Sequence, residues 1–124
     1  MEAEQEQPNT AAFPYILIDD DQWLIVCESA PDLQLAVEPD FLYDIVAGFD
    51  ACARPLKLHA QRDMVVAEVV GPPQPGELRS HAESYFALWT HEAAPEFSGE
   101  AQTYVSSVAI LAKTAKTRRK KAKQ

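Results

Sequence analysis

Cations are scarce in the first 112 residues of this 124-residue chain. That stretch holds all nineteen acidic residues and four cations, a formal charge of −15. Such a surface is repelled by nucleic-acid phosphate and by anionic lipid, which argues against contact of the body with either. The remaining cations lie in the last twelve residues, which contain no acid: Lys113, Lys116, Arg118, Arg119, Lys120, Lys121 and Lys123.

Glycine, cysteine and catalytic motifs are also sparse. The four glycines form no phosphate-binding loop, and neither the G-x-S-x-G nor the H-E-x-x-H pattern occurs. Cys27 and Cys52 match no disulfide framework or metal spacing, so we expect two small core side chains. His59, His81 and His91 have no partner at ligand spacing and are expected at the surface or its rim. The sequence therefore predicts no catalytic residue, no metal and no cofactor.

Long apolar runs are absent as well. No segment approaches the ~18 apolar residues that a membrane-spanning helix needs, and the acidic, polar N-terminus is unlike a secretory signal. We therefore expect a soluble, cytoplasmic protein without a membrane partner. Its length indicates one domain with a core of its own.

The first half of the chain has the pattern of β-strands. The runs at 13–19 and 23–27, separated by Asp20–Gln22, predict a hairpin, and a third strand is expected at 33–37. Residues 41–49 fit either a helix begun by Pro39 or a strand with one apolar face, and we favour the strand. Two further strands are predicted on either side of a turn at Arg62 and Asp63.

The second half changes to helical spacing after the proline-rich stretch 71–76. One amphipathic helix is predicted over 76–92, with Pro95 just beyond its end. A second is expected to start near Ser98 as its N-cap and to run towards the basic residues.

The predicted architecture is α+β: an antiparallel β-meander of five or six strands, followed by two amphipathic helices packed on one sheet face. The predicted organisation is a disordered acidic tail at 1–12, a single α+β domain at 13–112 and a basic tail at 113–124.

Two clusters deserve a functional interpretation besides the basic tail. Asp19, Asp20 and Asp21 carry oxygen ligands, but they lack the spacing of a calcium loop, and a soluble turn explains them. His81, Tyr85 and Trp89 would line any pocket between helix 76–92 and the sheet, although aromatic residues at helical spacing usually belong to the core.

Three functions follow as hypotheses. The leading one is a non-enzymatic protein-interaction module whose acidic body captures a protein partner of basic character. The second is a small enzyme or ligand-binding domain that uses the pocket under helix 76–92. The third is nonspecific tethering to nucleic acid through the basic tail, which has no aromatic side chain to stack on bases. The tail may instead contact the acidic body or nothing, and the sequence does not fix the oligomeric state.

Overall fold

The computed structural model describes residues 10–117 of the chain. The fold is α+β with antiparallel strands in two separate sheets. The strands are β1 (Tyr15–Asp19), β2 (Leu24–Cys27), β3 (Ile45–Phe49), β4 (Leu56–Gln61) and β5 (Met64–Val69); the helices are α1 (Ala30–Ala36), α2 (Pro75–Trp89) and α3 (Ala101–Thr114), with a 3-10 helix at Pro39–Asp44.

The first sheet has the order β2-β1-β3, so β1 is its central strand. All five residues of β1 are buried, because its two faces serve two different core clusters. Ile16 and Ile18 join the cluster that contains residues of α2 and α3, whereas Tyr15 and Leu17 join the cluster that contains residues of α1, β4 and β5. The alternation of side chains along a strand accounts for this division.

The second sheet is the hairpin β4-β5, and the single meander predicted from the sequence is not formed. Phe49 and Pro55 make one isolated bridge between the two sheets. Proline has no N–H to donate, and the carbonyl of Pro55 accepts from Val70 N, so the ladder cannot continue from β3 into β4. The predicted two-residue turn is present, with Arg62 and Asp63 both at positive φ, as a tight hairpin requires.

The strand predicted at 33–37 is wrong, since α1 occupies this segment. Asp32 N donates to Ser29 Oγ (3.3 Å), and the Asp32 carboxylate accepts from Glu28 N (3.0 Å). Together these two bonds cap the helix at its start. Leu33 and Val37 are then one helical turn apart and are both buried.

The segment 41–49 combines both of the structures considered for it. Pro39 begins a 3-10 helix with a kink at Phe41, and β3 starts at Ile45. Helix α2 is shorter than predicted and ends at Trp89, while α3 has Glu100 rather than Ser98 at its N-cap. Within residues 10–117, no helix is long and apolar enough to cross a membrane.

Candidate interaction surface

The acidic turn, residues 19–23, joins β1 to β2. Asp19 is buried, and its Oδ1 accepts hydrogen bonds from Asp21 N (2.8 Å) and Trp23 N (3.0 Å). Gln22 has a φ of 62°, which closes the turn. Carboxylate oxygens of Asp19, Asp20 and Asp21 lie within 4.8 Å of one another. Since Asp19 already accepts backbone hydrogen bonds, the formation of the turn is sufficient to explain the triplet.

The acidic turn is attached to α2 and to β3. Trp89 Nε1 donates to the Asp21 carbonyl (3.1 Å), and the His81 ring lies 3.1 Å from Gln22 Oε1. Asp20 N donates to the Asp44 carbonyl (2.9 Å). The structure therefore fixes the position of three neighbouring acids, two of which are exposed.

The residues of the predicted pocket are placed between α2 and the sheet. Tyr85 and Trp89 are buried in the core cluster, and both rings make edge contacts with Trp23, at centroid distances of 5.5 and 4.9 Å. His81 is half-buried, 6.1 Å from the ring of Phe49. At these positions the aromatic side chains themselves occupy the space between helix and sheet.

A depression of about 280 Å³ lies elsewhere, between the start of the described chain and α3. It is bordered by the apolar residues Phe13, Pro14, Ala109 and Ile110 together with Glu28 and Ser106. Neither a histidine nor a cysteine lines it, so the chemistry of this depression is limited to contact.

A buried ion pair, Asp50 with Arg54, was not anticipated from the sequence. Arg54 Nη2 lies 2.7 Å from Asp50 Oδ2, and both side chains are almost completely buried. Burial raises the pKa of Asp50, but hydrogen bonds from the Arg54 side chain and from three backbone N–H groups outweigh it and hold that pKa below its usual value. Arg54 also donates to the Thr10 carbonyl, and Ala12 N donates to Asp50. The pair thus holds residues 10–12 against the body.

Both cysteines are free thiols. Cys27 is buried, and its burial raises its pKa to about 11, which disfavours the reactive thiolate. Cys52 is half-buried in the turn that contains the Asp50–Arg54 pair.

Only the start of the predicted basic tail lies within the described residues. Lys113 is exposed at the end of α3 and forms an ion pair with Glu28. Beyond it, the Lys116 carbonyl accepts from His91 N, and Thr117 forms a bridge with Thr90. The other members lie outside the described residues: Arg118, Arg119, Lys120, Lys121 and Lys123.

The charge of the described body is unevenly divided along the chain. Residues 10–53 contain nine acids and neither lysine nor arginine. Two of the nine, Asp19 and Asp50, are buried and hydrogen-bonded, whereas the other seven are exposed or half-exposed. The elements from β1 to β3 therefore provide the most negative part of the described surface.

Comparisons with protein families, with curated proteins and with solved structures find no match for this chain.

Proposed function

We propose that this protein is a non-enzymatic interaction module that captures a basic protein partner on its acidic body. The observation that carries the proposal is the stretch 10–53, in which seven surface carboxylates face solvent without one lysine or arginine between them. Complementary charge accelerates encounter and selects partners, more than it adds affinity.

The alternative uses of this acidity are weaker. Carboxylates spread over several elements are no metal site, and the histidines do not converge with them. Solubility alone would be served by acids distributed over the whole body, whereas here one half of the body carries them without local neutralisation.

The test is binding at two ionic strengths with the complete chain as bait. We expect a basic partner to be recovered at about 50 mM salt and largely released at about 300 mM, because added salt shortens the screening length. The recovered protein is then purified and titrated directly, with an unrelated acidic protein of similar size and charge as the control bait. Recovery of no basic partner, or equal binding to both baits, contradicts the proposal.

The basic tail supports a second candidate, nonspecific contact with nucleic acid. Five of its seven cations follow Thr117 without an intervening acid. Neutralisation of seven phosphates would give a log–log salt slope of about −6 on duplex DNA. Truncation after Ala112 tests this candidate: polynucleotide retention at about 50 mM salt should be lost, and unchanged retention would refute it.

A further inference from the structure

An exposed aromatic segment lies within the cation-free half of the body. We call residues 38–46 the aromatic turn; it comprises the 3-10 helix and the beginning of β3. Phe41 is 48% exposed and Tyr43 is 76% exposed, and their ring centroids are 6.4 Å apart. Leu42 and Ile45 instead pack against a core cluster. The segment is thus anchored by one set of apolar side chains and presents another to solvent.

Backbone geometry extends this apolar surface into β3. The pairing of β1 with β3 changes register between Ile18 and Asp19, opposite Val46. Such a bulge redirects the side chain of the extra residue, and Val46 is 52% exposed. Phe41, Tyr43 and Val46 are therefore three exposed apolar side chains within six consecutive residues.

Acids flank this apolar surface. Glu38 and Asp40 are exposed, and Asp44 is half-exposed. The hydrogen bond from Asp20 N to the Asp44 carbonyl brings the acidic turn alongside. Among residues 10–117, no cation forms an ion pair with Glu38, Asp40 or Asp44.

The nearest element with cations does not neutralise these acids. Strand β4 contacts the 3-10 helix, and it carries Lys57. In the β4-β5 ladder Lys57 is directly opposite Glu68, an arrangement in which opposite charges attract.

We propose that the aromatic turn is the docking surface for the partner and that it binds an arginine-rich segment. This inference rests on the proposed function, because it assigns the surface and the side-chain class by which the basic partner is recognised. A guanidinium group can stack on a tyrosine or phenylalanine ring and pair with a neighbouring carboxylate through its planar fork. A lysine ammonium offers only a compact charge, so arginine is the residue that uses both features of this surface.

The experiment measures the binding of two labelled peptides, an arginine octamer and a lysine octamer, to the complete chain by fluorescence anisotropy at low salt. Tyr43→Ser should weaken the arginine peptide about two- to fivefold, the range expected for one exposed cation–π contact, and the lysine peptide less. Leu35→Ser is the matched control, since Leu35 is an 85% exposed apolar residue on α1.

The acids are tested by a pair of variants with equal loss of charge. Glu38→Gln with Asp40→Asn should weaken the arginine peptide more than Glu77→Gln with Glu96→Gln, two exposed acids from the other half of the body. Equal effects of the two pairs, together with no effect of Tyr43→Ser, would overturn the proposal. If these variants bind a verified basic partner as the unchanged chain does, the surface is wrong while the proposed function stands. If neither peptide nor any basic protein binds, the proposed function itself falls.

Two other occupants are separated by the same variants. Truncation after Thr117 removes Arg118 and Arg119, and tighter peptide binding that Tyr43→Ser abolishes would show that the chain's own tail covers the surface. A dimer in sedimentation that Tyr43→Ser dissociates would show a second copy there. Either result overturns the assignment to a partner, whereas a monomer with unchanged affinity after truncation supports it.

Discussion

Tyr104 buries a hydroxyl group that has no hydrogen-bond partner among the residues that the structure describes. Its ring is 1% exposed and packs edge-on against Phe97, with centroids 5.4 Å apart. An unsatisfied buried hydroxyl costs free energy, while the ring contributes packing that phenylalanine would retain.

We therefore expect Tyr104→Phe to raise the free energy of unfolding by about 1 kcal/mol. Urea unfolding measures it, and Tyr43→Phe is the control, because that hydroxyl belongs to a side chain that is 76% exposed. A loss of stability in Tyr104→Phe would mean that the hydroxyl has a favourable interaction in solution.

The Asp50–Arg54 pair leads to a prediction of the opposite sign. Asp50→Asn leaves the guanidinium buried without its counter-charge and should lower the free energy of unfolding by about 3–5 kcal/mol. Glu83→Gln breaks the exposed Arg79–Glu83 pair, which has the same spacing along the chain, and should cost no more than about 1 kcal/mol. Urea unfolding compares the two variants; equal losses would contradict this account.

The same pair fixes the direction of a pH dependence. The pKa of Asp50 is lower in the folded protein, so its ionised form adds stability above the unfolded-state value, about 3.9. This contribution is lost as the pH falls through the lower, folded-state pKa. The difference in unfolding free energy between the unchanged protein and Asp50→Asn should thus be complete at neutral pH and narrow below about pH 4. A difference that stays constant into acid would exclude this linkage.

At the scale of elements, the sequence predicted those structures whose signals are local. The β1–β2 hairpin, the β4-β5 hairpin and an amphipathic helix at α2 are all present. Helix α1 was missed, although Ser29 and Asp32 have the spacing of a capping box, because the short apolar run that follows was read as a strand.

Tertiary features were less accessible. The division into two sheets depends on Pro55 and on the buried pair before it, and Asp50 and Arg54 looked like ordinary turn residues. The aromatic turn was also missed, since the exposure of Phe41 and Tyr43 is decided by where Leu42 and Ile45 pack. In sequence all four are simply apolar.

Two glycines provide a prediction about the elements that contain them. A Cβ at Gly48, in β3, would lie 3.1 Å from Leu17 Cδ2 and 3.4 Å from Leu56 Cβ, whereas one at Gly76, in the first turn of α2, would meet nothing within 4 Å. We expect Gly48→Ala to destabilise the protein by about 1–3 kcal/mol through overpacking. Gly76→Ala should stabilise it by up to about 1 kcal/mol, since alanine favours the helix. Urea unfolding measures both, and equal changes would show that the close approach at Gly48 is unimportant.

For the whole molecule, the consequence of the charge division is self-repulsion. The chain carries a formal charge of −8, and removal of residues 118–124 takes away five cations and no acid, leaving −13. Thr117 and its bridge to Thr90 remain, as does the ion pair of Lys113 with Glu28. The truncated chain therefore differs from the complete one chiefly in net charge.

Because net charge far from zero destabilises a compact state, the truncated chain should melt at a lower temperature than the complete chain in low salt. The difference should shrink as salt rises towards about 1 M, where the screening length is only about 3 Å. Thermal unfolding at several salt concentrations measures it. A full-length variant with those five cations replaced by glutamine is the control and should behave as the truncated chain does. If that variant instead melts like the unchanged protein, tail length rather than charge is responsible, and repulsion within the acidic body is too weak to influence its stability.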